Sequence, residues 1–171
     1  MKNKTKTTAL MGLCTALAMI LAYVEVLLPP LFAAVPGIKM GLPNIIIIFL
    51  LYWRGWRAAG AVSLLRMVLV TLLFGNAMTF LYSLAGGILS LLVMALLRRL
   101  DCLSPVGVSV AGGVMHNVGQ VLVAMVLLDS TELIYYLSVL TVTGVVAGVF
   151  IGLCGSALLK RFSASKLFSN E

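Results

Sequence analysis

The chain has 171 residues, 62% of them apolar and 10% charged, with a net charge of +7. A soluble domain runs nearer about 45–50% apolar and about 25% charged, and the mean hydropathy of +1.16 points to lipid as the solvent. This excludes a disordered chain, a secreted disulfide scaffold and most soluble enzymes, and the scattered Cys14, Cys102 and Cys154 have neither metal-ligand nor disulfide spacing.

A helix that crosses a membrane needs about 20 mostly apolar residues to span about 30 Å. Six runs qualify as candidates, at about residues 8–28, 42–53, 58–74, 77–97, 105–128 and 133–159. Backbone amides find no water in lipid, so each run is predicted to be helical. The expectation is one all-α, polytopic membrane bundle over residues 1–171.

The first run follows a lysine-rich start and reads as an uncleaved helix, because no small-x-small cleavage site leads into a soluble domain. It carries Gly12-x-x-x-Ala16 near its beginning and Glu25 near its end, where the carboxylate interrupts the apolar sequence and has Lys39 or Arg66 as possible partners. Residues 35–44 follow, Val-Pro-Gly-Ile-Lys-Met-Gly-Leu-Pro-Asn. So much glycine and proline is not regular helix, and irregular backbone at membrane depth is tolerated beside a cavity. A re-entrant cover over an outward-facing pocket is expected, which adds Lys39 and Asn44 to the ligand-binding candidates.

The second run is short: at about 1.5 Å per residue it reaches only about 18 Å. It must borrow from its flanks or cross partially. The third holds Arg66 close to its centre, with Ser63 one turn earlier. An arginine there costs about 2.5–3.5 kcal/mol on insertion scales, so it requires a partner or a cavity. Two roles are open: binding backbone carbonyls for structure, or anchoring a carboxylate, phosphate or carbonyl of a ligand with its paired donors.

The fourth run pairs Ser83 with Gly87 and Gly86 with Ser90. In the fifth, His116, Asn117 and Gln120 fall within five residues, beside Gly112, Gly113 and Gly119. His116 and Gln120 share one helical face, and Gly113 and Asn117 share the adjacent one. All three polar side chains are expected to face the bundle interior, as hydrogen-bonding partners of each other or of a ligand. The sixth run has Gly144, Gly148 and Gly152 at spacing four, then Gly155. In lipid, small residues let helix backbones approach, so this stripe predicts a packing seam. Gly12 and Ala16 are the alternative case, a surface for docking a partner membrane subunit.

Basic residues set the orientation. With six spans and both termini in the cytoplasm, Lys2, Lys4, Lys6, Arg54, Arg57, Arg98, Arg99, Lys160, Arg161 and Lys166 lie inside, against Lys39 outside. This agrees with the positive-inside rule and predicts a multi-pass protein of the cell membrane. Omitting the second span spoils the agreement. No phosphate-binding loop, aspartate-rich diphosphate motif, His-Glu-x-x-His or CxxC is present. No catalytic residue, metal, cofactor or nucleic-acid partner is therefore expected.

The strings Pro36-Gly37-Ile38-Lys39-Met40-Gly41-Leu42-Pro43-Asn44, Tyr82-Ser83-Leu84-Ala85-Gly86-Gly87 and His116-Asn117-Val118-Gly119-Gln120, with Arg66, resemble a bacterial membrane family. It is heptaprenyl diphosphate synthase component I, also called the Gx transporter family, and the resemblance covers nearly the whole chain. That family is similar to the substrate-binding S components of energy-coupling-factor (ECF) transporters: small six-helix proteins with an outward pocket. The resemblance implies docking through first-helix small residues, here Gly12 and Ala16, onto a transmembrane subunit driven by ATPases. It also implies an alternative, an accessory to a prenyl synthase or redox partner in isoprenoid or quinone metabolism or flavin-based extracellular electron transfer. A quinone, isoprenoid or flavin ligand would then be in play, although the acidic clusters of prenyl-synthase chemistry are missing.

Overall fold

The computed structural model describes residues 2–27, 41–75 and 77–164. Among these the chain is entirely helical, apart from short turns: α1 Lys2–Leu27, α2 Asn44–Arg54, α3 Trp56–Phe74, α4 Ala77–Leu100, α5 Pro105–Leu127 and α6 Tyr136–Ala164. A 3₁₀ turn, Thr131–Tyr135, leads into α6. Five stretches, all but α2, are long and apolar enough to cross a membrane. The molecule is the polytopic helical bundle its composition requires. Its outer surface is apolar: Leu72 and Val126 are 77% and 81% exposed, an arrangement suited to lipid and not to water.

The short second helix holds the centre. Ile46, Ile47, Ile48, Phe49, Leu50 and Leu51 are consecutive, and all are buried. A helix apolar on every face is stable only when neighbours surround it, and α1, α3, α5 and α6 all touch α2. Its eleven residues rise only about 16 Å, half the hydrocarbon thickness of about 30 Å. The described second helix is thus about half as long as the hydrocarbon core is thick, and the residues before Gly41 that would extend its crossing fall outside the described ones.

Gly55 alone joins α2 to α3. Its φ of 95° is in the left-handed region, where a side chain is strained. Arg98, from the end of α4, closes the C-terminus of α2 by donating to the carbonyl of Leu51 and, at 3.1 Å, to that of Tyr52. The last carbonyls of a helix lack internal partners, and a guanidinium also suits the negative end of the helix dipole. Phe162 of α6 packs edge-on against Phe49 and Trp53, with centroids 5.0 and 5.6 Å away. Arg54 and Arg57 lie over the rings of Trp53 and Trp56. The basic ends of α2, α3, α4 and α6 therefore gather at one end of the bundle.

The most extensive seams are α5–α6 and α4–α5. Glycine makes both. A Cβ at Gly113 would come 2.5 Å from the Gly144 carbonyl oxygen, and one at Gly148 would come 2.6 Å from Val110 Cα. A Cβ at Gly119 would meet the Ala85 oxygen at 2.8 Å. Gly152 packs on Val106, and Gly155 is closed over by Ile48 of α2. Gly12 differs: nothing lies within 4 Å of its Cβ position. Ala16 is exposed too.

Candidate functional site

Among the described residues, no helix fills the space beyond the N-terminus of α2. A cavity of about 90 Å³ lies there, at the end of the bundle opposite the basic cluster. Five helices contribute to it. α1 supplies Ala22 and Glu25; the start of α2 supplies Gly41 and Asn44; α4 supplies Ser83; α5 supplies His116 and Gln120. The rest comes from α3 and the residue after it: Arg66, Met67, Val70, Thr71, Phe74 and Gly75.

Depth follows from helical rise. Arg66 is ten residues into α3 and His116 eleven into α5, which places both about 15–16 Å from the basic end. That is the depth at which α2 begins. The guanidinium Nε of Arg66 is buried and has no hydrogen-bond partner among the described residues. A buried donor without a partner costs about 1–3 kcal/mol, more when charged, and mid-membrane burial adds to this. The Glu25 carboxylate acts on Arg66 electrostatically and accepts the backbone N–H of Gly41. That contact ties the C-terminal part of α1 to the entry of α2, where Gly41 has a φ of 74°.

The first amides of α2 are occupied: Asn44, Ile45 and Ile46 donate to the carbonyls of Gly41, Leu42 and Pro43. The helix start therefore offers its side chain, Asn44, in preference to free N–H groups. His116 is held by its neighbour. A Cβ at Gly86 would fall 2.9 Å from His116 Nδ1 and 3.0 Å from Gln120 Cγ, so glycine is what lets this face of α5 lie against α4.

Of the ligand-binding candidates, Glu25, Asn44, Arg66, His116 and Gln120 line one cavity. Asn117 is absent from the lining: its amide donates to the Leu140 carbonyl of α6 at 2.6 Å, and it lies beside Gly144. Lys39 and most of the 35–44 segment fall outside the described residues. Sequence reasoning missed Ser83, Thr71, Val70 and Phe74. The α3 residues carried a signal, since 67, 70, 71 and 74 repeat at helical spacing along the flank that includes Arg66. The hydroxyls of Thr15, Thr141, Thr143 and Ser156 bond back to carbonyls of their own helices, the usual way to satisfy them away from water.

No group of three or more potential metal-binding side chains occurs among the described residues. A family model for heptaprenyl diphosphate synthase component I matches residues 14–158. No curated protein and no solved structure gave a significant match to the chain.

Proposed function

Since the chain belongs to the heptaprenyl diphosphate synthase component I family and is a multi-pass membrane bundle, we propose that it is the substrate-binding membrane subunit of a small-molecule transport system. The observation that carries this reading is the orphaned Nε of Arg66, buried beside a cavity that His116, Gln120, Asn44 and Glu25 also line. Arg98 places its Nη donors on backbone carbonyls; the Nε of Arg54 is also buried without a hydrogen-bond partner among the described residues, and it is the cavity beside it that sets Arg66 apart. A ligand supplies the acceptor instead.

The positive-inside rule puts the gathered basic ends and both termini in the cytoplasm, so the cavity faces outward. Gly12 and Ala16, exposed on α1, suit the docking of a coupling subunit that brings the ATPases, the arrangement that the family's expected likeness to S components implies. Native mass spectrometry of the detergent-purified protein tests the reading. A small species retained by wild type and lost from folded Arg66→Ala supports it, with Arg66→Lys a partial rescue because the planar fork is gone. Retention by folded Arg66→Ala rejects it.

A second reading is favoured by the family's description, whose wording implies a synthase with more than one component. On that reading the chain is an accessory of a prenyl synthase. Co-purification from native membranes separates the two, through the presence of an ATPase-bearing complex or of a synthase.

A further inference from the structure

At the basic end of the bundle, away from the cavity, we propose that the outer groove between α3 and α4 holds an anionic phospholipid of the surrounding membrane, with its phosphate between Arg57 and Arg99.

The register of the two helices places both arginines. α3 and α4 run antiparallel. A Cβ at Gly60 would lie 3.1 Å from Leu91 Cδ2, and one at Gly55 would lie 3.7 Å from Arg98 Nη1. Further along, a Cβ at Gly87 would meet Met67 Sδ at 3.0 Å. The start of α3 therefore lies beside the end of α4. A helix turns about 100° per residue. Arg57 comes three residues before Gly60, and Arg99 directly follows Arg98, so each lies about 60–100° round from the line of contact. Both are exposed, on faces turned away from the buried Ala59, Ser63 and Met94. They flank one groove from its outer side.

Along its length this groove is aliphatic. Leu64 continues the stripe of Arg57, and Leu92 and Ile88 continue that of Arg99, at helical spacing. All three are exposed. Leu64 and Leu92 are each seven residues from their arginine, about 10 Å deeper along the helix. Trp56, also exposed, sets this end at the membrane–water boundary, where such rings anchor. The Arg57 guanidinium carbon lies 5.6 Å from its ring centroid. Charge at the helix ends above a leucine-lined groove matches a phosphate above its acyl chains.

Charge selects the headgroup. Arg54, Arg57, Arg98, Arg99, Lys160 and Arg161 lie at this end, against one described carboxylate, Asp101. A guanidinium meets phosphate oxygens with paired N–H donors. Each basic residue at a membrane surface favours anionic lipid by about 5-fold in affinity. A phosphatidylcholine headgroup brings a fixed cation to the same place, which the cluster repels.

The test is native mass spectrometry of the full chain, delipidated in non-ionic detergent, with phosphatidylglycerol and phosphatidylcholine of identical acyl chains at equal concentration. Phosphatidylglycerol should be retained at least about 5-fold more strongly. Arg57→Gln and Arg99→Gln should each weaken its retention about 5-fold, and the double variant about 25-fold. Both side chains are exposed, so these substitutions leave the core intact. Arg161→Gln removes the same charge from α6, which packs on α2 and α5, and should stay within about 2-fold of wild type because screening is strong at that separation. Glycerol phosphate, the headgroup without chains, should leave the lipid bound when added at the same concentration. Equal retention of the two lipids overturns the anionic assignment. Wild-type retention by the double variant, or equal weakening by Arg161→Gln, overturns the groove in favour of diffuse charge. Displacement by glycerol phosphate overturns the part given to the acyl chains.

Discussion

Gly148→Ala adds one methyl group to α6 and should unpick the longest seam in the bundle. The new Cβ would sit 2.6 Å from Val110 Cα, 2.9 Å from the Ser109 carbonyl oxygen and 3.0 Å from the Val110 nitrogen. Carbon atoms in good contact lie about 3.5–4.0 Å apart, so α5 and α6 must separate by about 1 Å. All three neighbours are backbone atoms, and no rotamer change relieves the clash. A gap of about 0.5–1 Å forfeits a quarter to a half of each contact's attraction along the seam. Lipid offers no compensating hydrophobic drive to bring the helices back together. Overpacking of this kind costs about 1–3 kcal/mol. Gly12→Ala is the matched control, since it makes the same chemical change where no atom lies within 4 Å. There the gain of helix propensity, roughly 0.5–1 kcal/mol, acts alone. Gly148→Ala gains the same propensity, so the two variants should differ by the overpacking cost, about 1–3 kcal/mol. Unfolding in mixed micelles of increasing SDS content, followed by the fluorescence of Trp53 and Trp56, measures the difference. Wild-type stability in Gly148→Ala, or an equal loss in Gly12→Ala, would refute the assignment of the seam.

Three further outcomes follow from the same geometry. Arg98→Ala removes two charge-assisted donors from the carbonyls of Leu51 and Tyr52 and should cost about 1–3 kcal/mol in the same unfolding assay; a neutral result would mean that water closes the end of α2 equally well. Asn117→Leu breaks the bond to Leu140 and should lower stability by about 0.6–1.7 kcal/mol while ligand retention in native mass spectrometry stays at the wild-type level. Loss of the ligand from a stable Asn117→Leu protein would return this residue to the binding site. With the three native cysteines replaced by serine or alanine, a membrane-impermeant thiol reagent should modify Ser130→Cys in intact cells and spare Ser104→Cys, and modification of Ser104→Cys would invert the proposed orientation.

By itself the sequence determined the solvent and the elements. A chain this apolar has to place helices in lipid, and the positions of Gly144, Gly148 and Gly152 mark a seam because close backbone approach excludes larger side chains. It also identified Arg66, His116 and Gln120 as interior residues, since none of them is stable against hydrocarbon. Helical periodicity even separated the face of His116 and Gln120 from that of Gly113 and Asn117, although not which neighbour each face meets. Only the tertiary structure decided that: one face looks onto α4 and the cavity, the other onto α6, where Asn117 finds Leu140. It set Glu25 beside Arg66, one of the two partners the sequence had offered, and added Ser83 to the cavity that Asn44 also lines, because these come from different helices and their proximity depends on how the bundle closes. The role of α2 was likewise beyond local reasoning. A run of apolar residues reads the same whether lipid or protein surrounds it. What made α2 the buried axis was the wrapping of α1, α3, α5 and α6 around a helix about 16 Å long, and the space left beyond its end is the cavity.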